Sequence, residues 1–146
     1  MTRENTPDCS TSDFIARMIG VPWANRACAS DAVDCWGLVV LYYRQVMGIE
    51  LHQTPDYESG ADFFTCYQGD VVFWQQVPHP AEGGIFVGYT GAQPAHVGLI
   101  LGRQALHSRG ENGSVRQDSL MLIQRAFTKV EYFEYKFGRS IITKSG

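Results

Sequence analysis

The chain has 146 residues, 45% of them hydrophobic and 18% charged, which suits one packed domain and excludes a disordered chain. Its net charge of −3 offers no basic footprint for nucleic acid, and no run approaches the roughly 18 apolar residues of a membrane span. Neither nucleic acid nor a membrane is therefore an expected partner. The polar start Met1–Asp8 lacks the apolar core of a secretory signal, so synthesis in a cytosol without a signal peptide is expected.

Taken in order, residues 1–12 read as a flexible arm. Ser10-Thr11-Ser12-Asp13 supplies helix N-cap residues ahead of Phe14-Ile15-Ala16-Arg17-Met18-Ile19, whose apolar positions share one helical face. Gly20 and Pro22 end that helix. After a loop of small and polar residues, Asp34-Cys35-Trp36-Gly37-Leu38-Val39-Val40-Leu41-Tyr42-Tyr43 predicts a second helix, running to about Met47 and stopped by Gly48. Its apolar residues cover most of the circumference, as in a central buried helix. Val71-Val72-Phe73-Trp74 reads as a short strand introduced by a turn at Gly69-Asp70. Residues 75–94 are rich in Pro and Gly and read as a long surface loop with one short strand at Ile85–Val87.

Ala95-His96-Val97-Gly98-Leu99-Ile100-Leu101 predicts a strand that turns at Gly102-Arg103 into Gln104-Ala105-Leu106-His107-Ser108. A two-residue hairpin pairs Leu101 with Gln104, Ile100 with Ala105 and Gly98 with His107. His96, Gly98, Ala105 and His107 then share one face, and Val97, Leu99, Leu101 and Leu106 the other. The two histidines become diagonal neighbours, about 7 Å apart between backbones and within side-chain reach. A one-residue slip would put His107 among the leucines. Val115–Ile123 and Tyr132–Phe137 offer two further strands, and the last residues a frayed tail. Helices first and strands afterwards make the fold α+β. No repeat or domain boundary interrupts residues 1–146, which read as a single domain.

The chemistry centres on Cys35. Asp34 is a favoured N-cap, so Cys35 sits at the positive end of a helix, where a thiolate is favoured. A helix-borne Cys followed by strand-borne His residues fits a papain-like cysteine hydrolase with a Cys35–His96–His107 cluster. Cys9, Cys28 and Cys66 read as buried or half-exposed thiols, since a cytosolic origin disfavours disulfides. The cysteines lack the close ligand spacing of zinc modules, and neither a metal nor a cofactor is expected. His52 and His79 lie in Pro-flanked loops and are expected to be solvated. Asp70 reads as a turn residue.

Four ordered stretches carry a resemblance: Asp34-Cys35-Trp36-Gly37-Leu38-Val39, Gly69-Asp70-Val71-Val72-Phe73-Trp74, His96-Val97-Gly98-Leu99-Ile100-Leu101-Gly102, and Leu106-His107. Over about Phe14 to Val115 the chain resembles the NlpC-type cell-wall cysteine peptidases, whose pattern runs D-C-S-G-L-V, G-D-x-x-F-F, H-V-G-I-Y-L-G, then a third polar residue, often His. The resemblance implies N-terminal helices, the nucleophile helix among them, packed on an antiparallel sheet of about five or six strands. It also implies hydrolysis of peptidoglycan stem peptides, commonly between γ-D-glutamyl and diaminopimelate residues. Cys35 would be the nucleophile, His96 the general base and then acid, and His107 the residue orienting His96. Trp36 stands where most members have Ser, and Trp23 where an upstream Tyr is usual. In the family those positions help to hold the substrate, so Trp23, Trp36 and Asp34 are candidate binding residues; packing and capping are their alternative roles. D-C-W-G is most similar to the branch encoded by tailed phages and prophages, which implies tail-tip proteins as partners and action from the virion tail at the cell wall. A structural tail protein of slight activity and a thiol acyltransferase or deamidating relative are the competing functions.

Overall fold

A computed structural model describes residues 10–24, 27–49, 51, 74–108 and 113–135. Helix α1 spans Thr11–Met18, with the Ser10 hydroxyl accepting from the Asp13 amide as its N-cap. Thr11 and Ser12, assigned to a flexible arm by sequence, belong to this helix. Its Phe14 and Met18 point into the core, Phe14 edge-on to Tyr42. A small ribbon of β1 (Cys28–Ala29) and β2 (Ala32–Val33) delivers the chain to α2, Cys35–Tyr42. All eight residues of α2 are buried. The helix continues as a wider π-turn over Tyr43–Met47 and stops at Gly48, whose φ of 71° is left-handed, as expected of a terminating glycine.

The rest is a six-stranded antiparallel sheet made of β3 (Trp74–Val77), β4 (Ile85–Thr90), β5 (Gln93–Leu101), β6 (Gln104–Ser108), β7 (Val115–Ser119) and β8 (Lys129–Tyr135). The strand order is β3-β8-β4-β5-β6-β7, so the last strand is inserted between β3 and β4. Helix α3, Leu120–Ala126, lies between β7 and β8 in the chain. Strand alternation divides the core in two. One face carries Ile85, Val87, Val97, Leu99, Leu101 and Leu106 against α2. The other carries Phe86, Ile100, Ala105 and Tyr132, with Ile123 of α3 packed on them. The α+β, papain-like architecture expected from sequence is the one observed.

Two stretches differ from the sequence expectation. Residues 75–94 are not a long loop: β3 runs on to Val77, β4 covers Ile85–Thr90, and β5 begins at Gln93 after a tight turn at Gly91-Ala92. Pro78, Pro80, Gly83 and Gly84 mark the connection from β3 to β4, Gly91 the turn of the β4–β5 hairpin, and Gly88 lies inside a strand because an aromatic ring needs its space. Val115–Ile123 is not one strand either. Ser119 caps a helix by accepting from the Leu122 amide, and Leu120-Met121-Leu122-Ile123-Gln124-Arg125 are mostly good helix formers. Residues 71–73 of one expected strand and 136–137 of another, with Asp70, Cys9, Cys66 and His52, lie outside the described residues. No helix among the described residues is long and apolar enough to cross a membrane.

Candidate active site

The N-terminus of α2 is built as the sequence predicts. Asp34 is the N-cap, its Oδ1 accepting from the Gly37 amide at 2.7 Å, a geometry worth about 1 kcal/mol. Cys35 follows in the first turn, with a free thiol 5% exposed. It sits against the backbone of Val97, which neighbours His96 in β5. The electrostatics depart from expectation. Burial above all, and then the Asp34 carboxylate, push the thiol up to about 12, against the backbone groups of Val97, Trp36 and Cys35 that favour the thiolate. The helix terminus does pull toward ionisation, and desolvation outweighs it. Cys35 therefore rests as a neutral thiol.

The β5–β6 hairpin has the expected register, with Leu99 opposite Leu106, Ile100 opposite Ala105 and Leu101 opposite Gln104. Gly102 and Arg103 both have positive φ, 63° and 65°, the signature of a type I′ turn. His96 and His107 consequently meet, His96 Nε2 lying 2.9 Å from His107 Nδ1. A Cβ on Gly98 would come within 2.5 Å of the Phe86 ring and 2.8 Å of His107 Cβ, so only glycine leaves His107 its place. Opposite His96, Gly88 makes room for Phe127, whose ring stacks on the His96 imidazole at 5.8 Å and 17°. Phe86 closes the other side, tilted against His96 and edge-on to His107. His107 is fully buried and His96 half-buried.

Beyond His107 stands a residue that sequence reasoning missed. His107 Nε2 lies 2.8 Å from Asp118 Oδ2 on β7, and Arg116 grips both oxygens of that carboxylate, Nε at 3.0 Å and a terminal nitrogen at 3.2 Å. Burial raises the Asp118 pKa, but its bonds to His107 and Arg116 outweigh that and hold it below the ordinary carboxylate value. A signal existed in the strand period: Arg116 and Asp118 are two apart and share a face. Too many residues separate Ser108 from Val115 in the sequence for a turn rule to set the register, so that face could not be placed over His107.

The other expected residues are placed as follows. Trp36 is 0% exposed and packs edge-on to Trp74, and Asp34, also 0% exposed, caps α2. Trp23 is half-buried, its amide bound to the Gly113 carbonyl at 3.0 Å. Cys28 is a half-buried thiol outside any disulfide, donating to the Gly37 carbonyl, and His79 is exposed, as expected. Among the described residues no His, Cys, Asp and Glu cluster is suited to a metal ion.

Comparison with known proteins places the fold. The chain is similar to the NlpC/p60 domain of the peptidoglycan hydrolase SagA (18% identity, TM-score 0.58), covering 84% of this chain and 93% of that one. NlpC1 from Trichomonas vaginalis aligns at 18% identity with TM-score 0.62, over 86% of this chain but 42% of that one. An NLP/P60-family, lipoprotein-like protein from Staphylococcus aureus aligns at 19% identity with TM-score 0.54, over 82% and 39%. This chain thus spans less than half the length of the last two, and at these identities the likeness is one of fold. No curated protein matches the chain. The sequence pattern of the NlpC/P60 family matches residues 20–132, most of the length, and the chain belongs to that family.

Proposed function

We propose that this protein is a cysteine endopeptidase of bacterial peptidoglycan that cuts stem peptides at a bond of the γ-D-glutamyl–diaminopimelate type. Cys35 is the nucleophile, His96 the base and then the acid, and His107 the residue that orients His96. One observation carries the reading: the His96–His107 pair, 2.9 Å apart, on the strand whose Val97 backbone touches the Cys35 thiol. Family membership and the hydrolase SagA among the structural relatives support it.

Because Cys35 rests neutral, the reaction begins with transfer of its proton to His96 as substrate displaces water and the sulfur approaches the amide carbonyl. A sulfur–carbon bond forms, and the carbonyl oxygen takes up negative charge facing the first-turn amide of Cys35. The carbon–nitrogen bond then breaks as His96 returns the proton to the leaving amine. Water, deprotonated by His96, hydrolyses the thioester and restores the thiol. D-C-W-G further supports a tail-tip or tail-assembly component of a phage or prophage, acting at the cell wall.

The test is digestion of purified diaminopimelate-type peptidoglycan, with Cys35→Ala as control and the products identified by mass spectrometry. Stem-peptide fragments from the wild type alone are expected, and their masses name the bond. Identical digests from both proteins would sink the proposal. The buried, neutral thiol favours one second reading, a tail component of slight activity. In that case Cys35 of the folded wild type resists iodoacetamide and no fragments appear.

A further inference from the structure

His96, His107 and Asp118 lie on a straight diagonal across β5, β6 and β7. One step on from the Leu99–Leu106 pair, His107 lies beside Gly98, two residues beyond His96, and Asp118 is opposite Ala105, one strand over and two residues further along the same line. Small residues at 98 and 105 leave room for the rings. The hydrogen-bonding roles along this line are forced from its outer end. Asp118 has its ordinary charge reinforced by Arg116 and can only accept, so His107 carries its proton on Nε2. A neutral His107 then offers a bare Nδ1, which accepts from His96 Nε2–H. His96 in turn carries no proton on Nδ1, which makes it the ring nitrogen able to take one.

We infer that Asp118, fixed by Arg116, is a positioning residue of the active site: it sets the tautomer of His107 and through it makes His96 Nδ1 the basic atom. The inference rests on the hydrolase reading of Cys35 and His96 and adds a fourth member to their chain. Among the described residues, the charged and titratable groups contacting this line include His107 on β6 and Asp118 and Arg116 on β7, while β4 and the segment after α3 contribute the aromatic rings of Phe86 and Phe127. When His96 becomes cationic, Asp118 stabilises it through His107, as the buried carboxylate of a Ser-His-Asp triad stabilises its imidazolium. The outer end of the line is reachable. An open cavity of about 180 Å³, lined by Arg116, Asp118, Leu122, Ile123 and Ala126, adjoins the carboxylate and is several times the ~30 Å³ share of one water.

That cavity allows a test by chemical rescue. The rate of Cys35 alkylation by iodoacetamide is followed against pH in wild type, Asp118→Ala, Asp118→Glu and Arg116→Gln, with wall digestion measured in parallel. Without the anion the imidazolium is less stable, so the proton leaves sulfur less readily and the rising limb moves to higher pH. Asp118→Ala is expected to move that limb up by about one unit, tenfold slower at a given pH. Its kcat is expected to fall about 10- to 100-fold with KM within about twofold, by analogy with the loss of a carboxylate that orients a metal-ligating histidine. Formate entering the cavity should restore much of the loss, and Asp118→Glu part of it. Arg116→Gln should give a smaller shift in the same direction. The inference is overturned if Asp118→Ala keeps the wild-type rate and profile. A loss that neither formate nor glutamate repairs, with an unmoved alkylation profile, would equally overturn it as a mere fold effect. If Asp118→Ala fails to fold, an unmoved profile in Arg116→Gln decides against it. Alkylation needs no wall substrate, so a wild type whose Cys35 responds to Asp118 but digests nothing refutes the peptidoglycan reading and leaves the relay standing.

Discussion

The two faces of the β5–β6 hairpin are made by the same residues in alternation and do opposite work. Val97, Leu99, Leu101 and Leu106 form an apolar floor under α2, where close packing sets the fit. His96, Gly98, Ala105 and His107 form the other face, where rings are spaced by glycine and alanine so that nitrogens meet. One face fixes where the nucleophile helix sits. The other fixes which nitrogen is basic. Since the period of a strand is two, both settings hang on a single register, and a slip of one residue would lose both at once.

The apolar floor gives the largest expected effect. Leu99 is fully buried there, and Leu99→Ala should lower unfolding free energy by about 2–5 kcal/mol through lost transfer energy and the cavity left behind. Urea unfolding measures it. The alkylation profile of Cys35, taken well below the transition, should stay near that of the wild type, since no leucine touches the histidine face. A large change in profile with small loss of stability would mean the two faces are not separable.

Gly98→Ala strikes the other face. The new Cβ meets the Phe86 ring at 2.5 Å and His107 Cβ at 2.8 Å, so either His107 moves or the strands part. Overpacking of this kind costs about 1–3 kcal/mol. The sharper expectation is chemical: digestion and the His96-dependent part of the alkylation profile should be lost in a protein that still folds. Retained activity would show that Phe86 can yield without disturbing the histidines.

The register and the histidine pair were legible in the sequence because a two-residue turn fixes pairing by geometry, and polarity then chooses the face. The α2 cap was legible because Asp before an apolar run has few other uses. Asp118 was not, since a longer sequence separation between the two strands leaves pairing free, and neither was α3, because an apolar run after a serine fits a strand or a helix equally until its neighbours are known. The insertion of β8 between β3 and β4 is a long-range pairing that no local pattern encodes. The state of Cys35 was misread for a related reason. Helix-end electrostatics are local and visible in sequence, whereas burial is set by the whole fold.

That last contrast can be sharpened at Asp34, whose carboxylate caps α2 and also raises the Cys35 thiol. Asparagine caps about as well, so Asp34→Asn should leave stability within a few tenths of a kcal/mol. Removing the charge lowers the thiol pKa from about 12, and each half unit is about threefold in thiolate at fixed pH. Alkylation should therefore be faster and its limb lower, opposite in sign to the shift expected at Asp118. The sign carries over to stability. A thiol held protonated when folded stabilises the fold fully below 9.0, its ordinary value, and that stability is lost as pH rises toward about 12. Alkaline unfolding of Cys35→Ala should accordingly be shallower over that window than that of the wild type.

The smallest effect lies in the turn on which both faces depend. Arg103 is exposed and holds a φ of 65°, a left-handed conformation that costs a residue with a Cβ about 1 kcal/mol or more relative to glycine. Arg103→Gly relieves that cost but adds freedom to the unfolded chain, so a net gain of about 0.5 kcal/mol is expected in urea unfolding. Arg103→Val should go the other way by more, since a β-branched side chain tolerates positive φ least. Neither change touches the face residues, so the alkylation profile should not move in Arg103→Gly. If Arg103→Val unfolds late but loses the profile, the turn sets register without setting stability. If both fall together, a single turn geometry holds the leucine floor and the histidine pair in place at the same time.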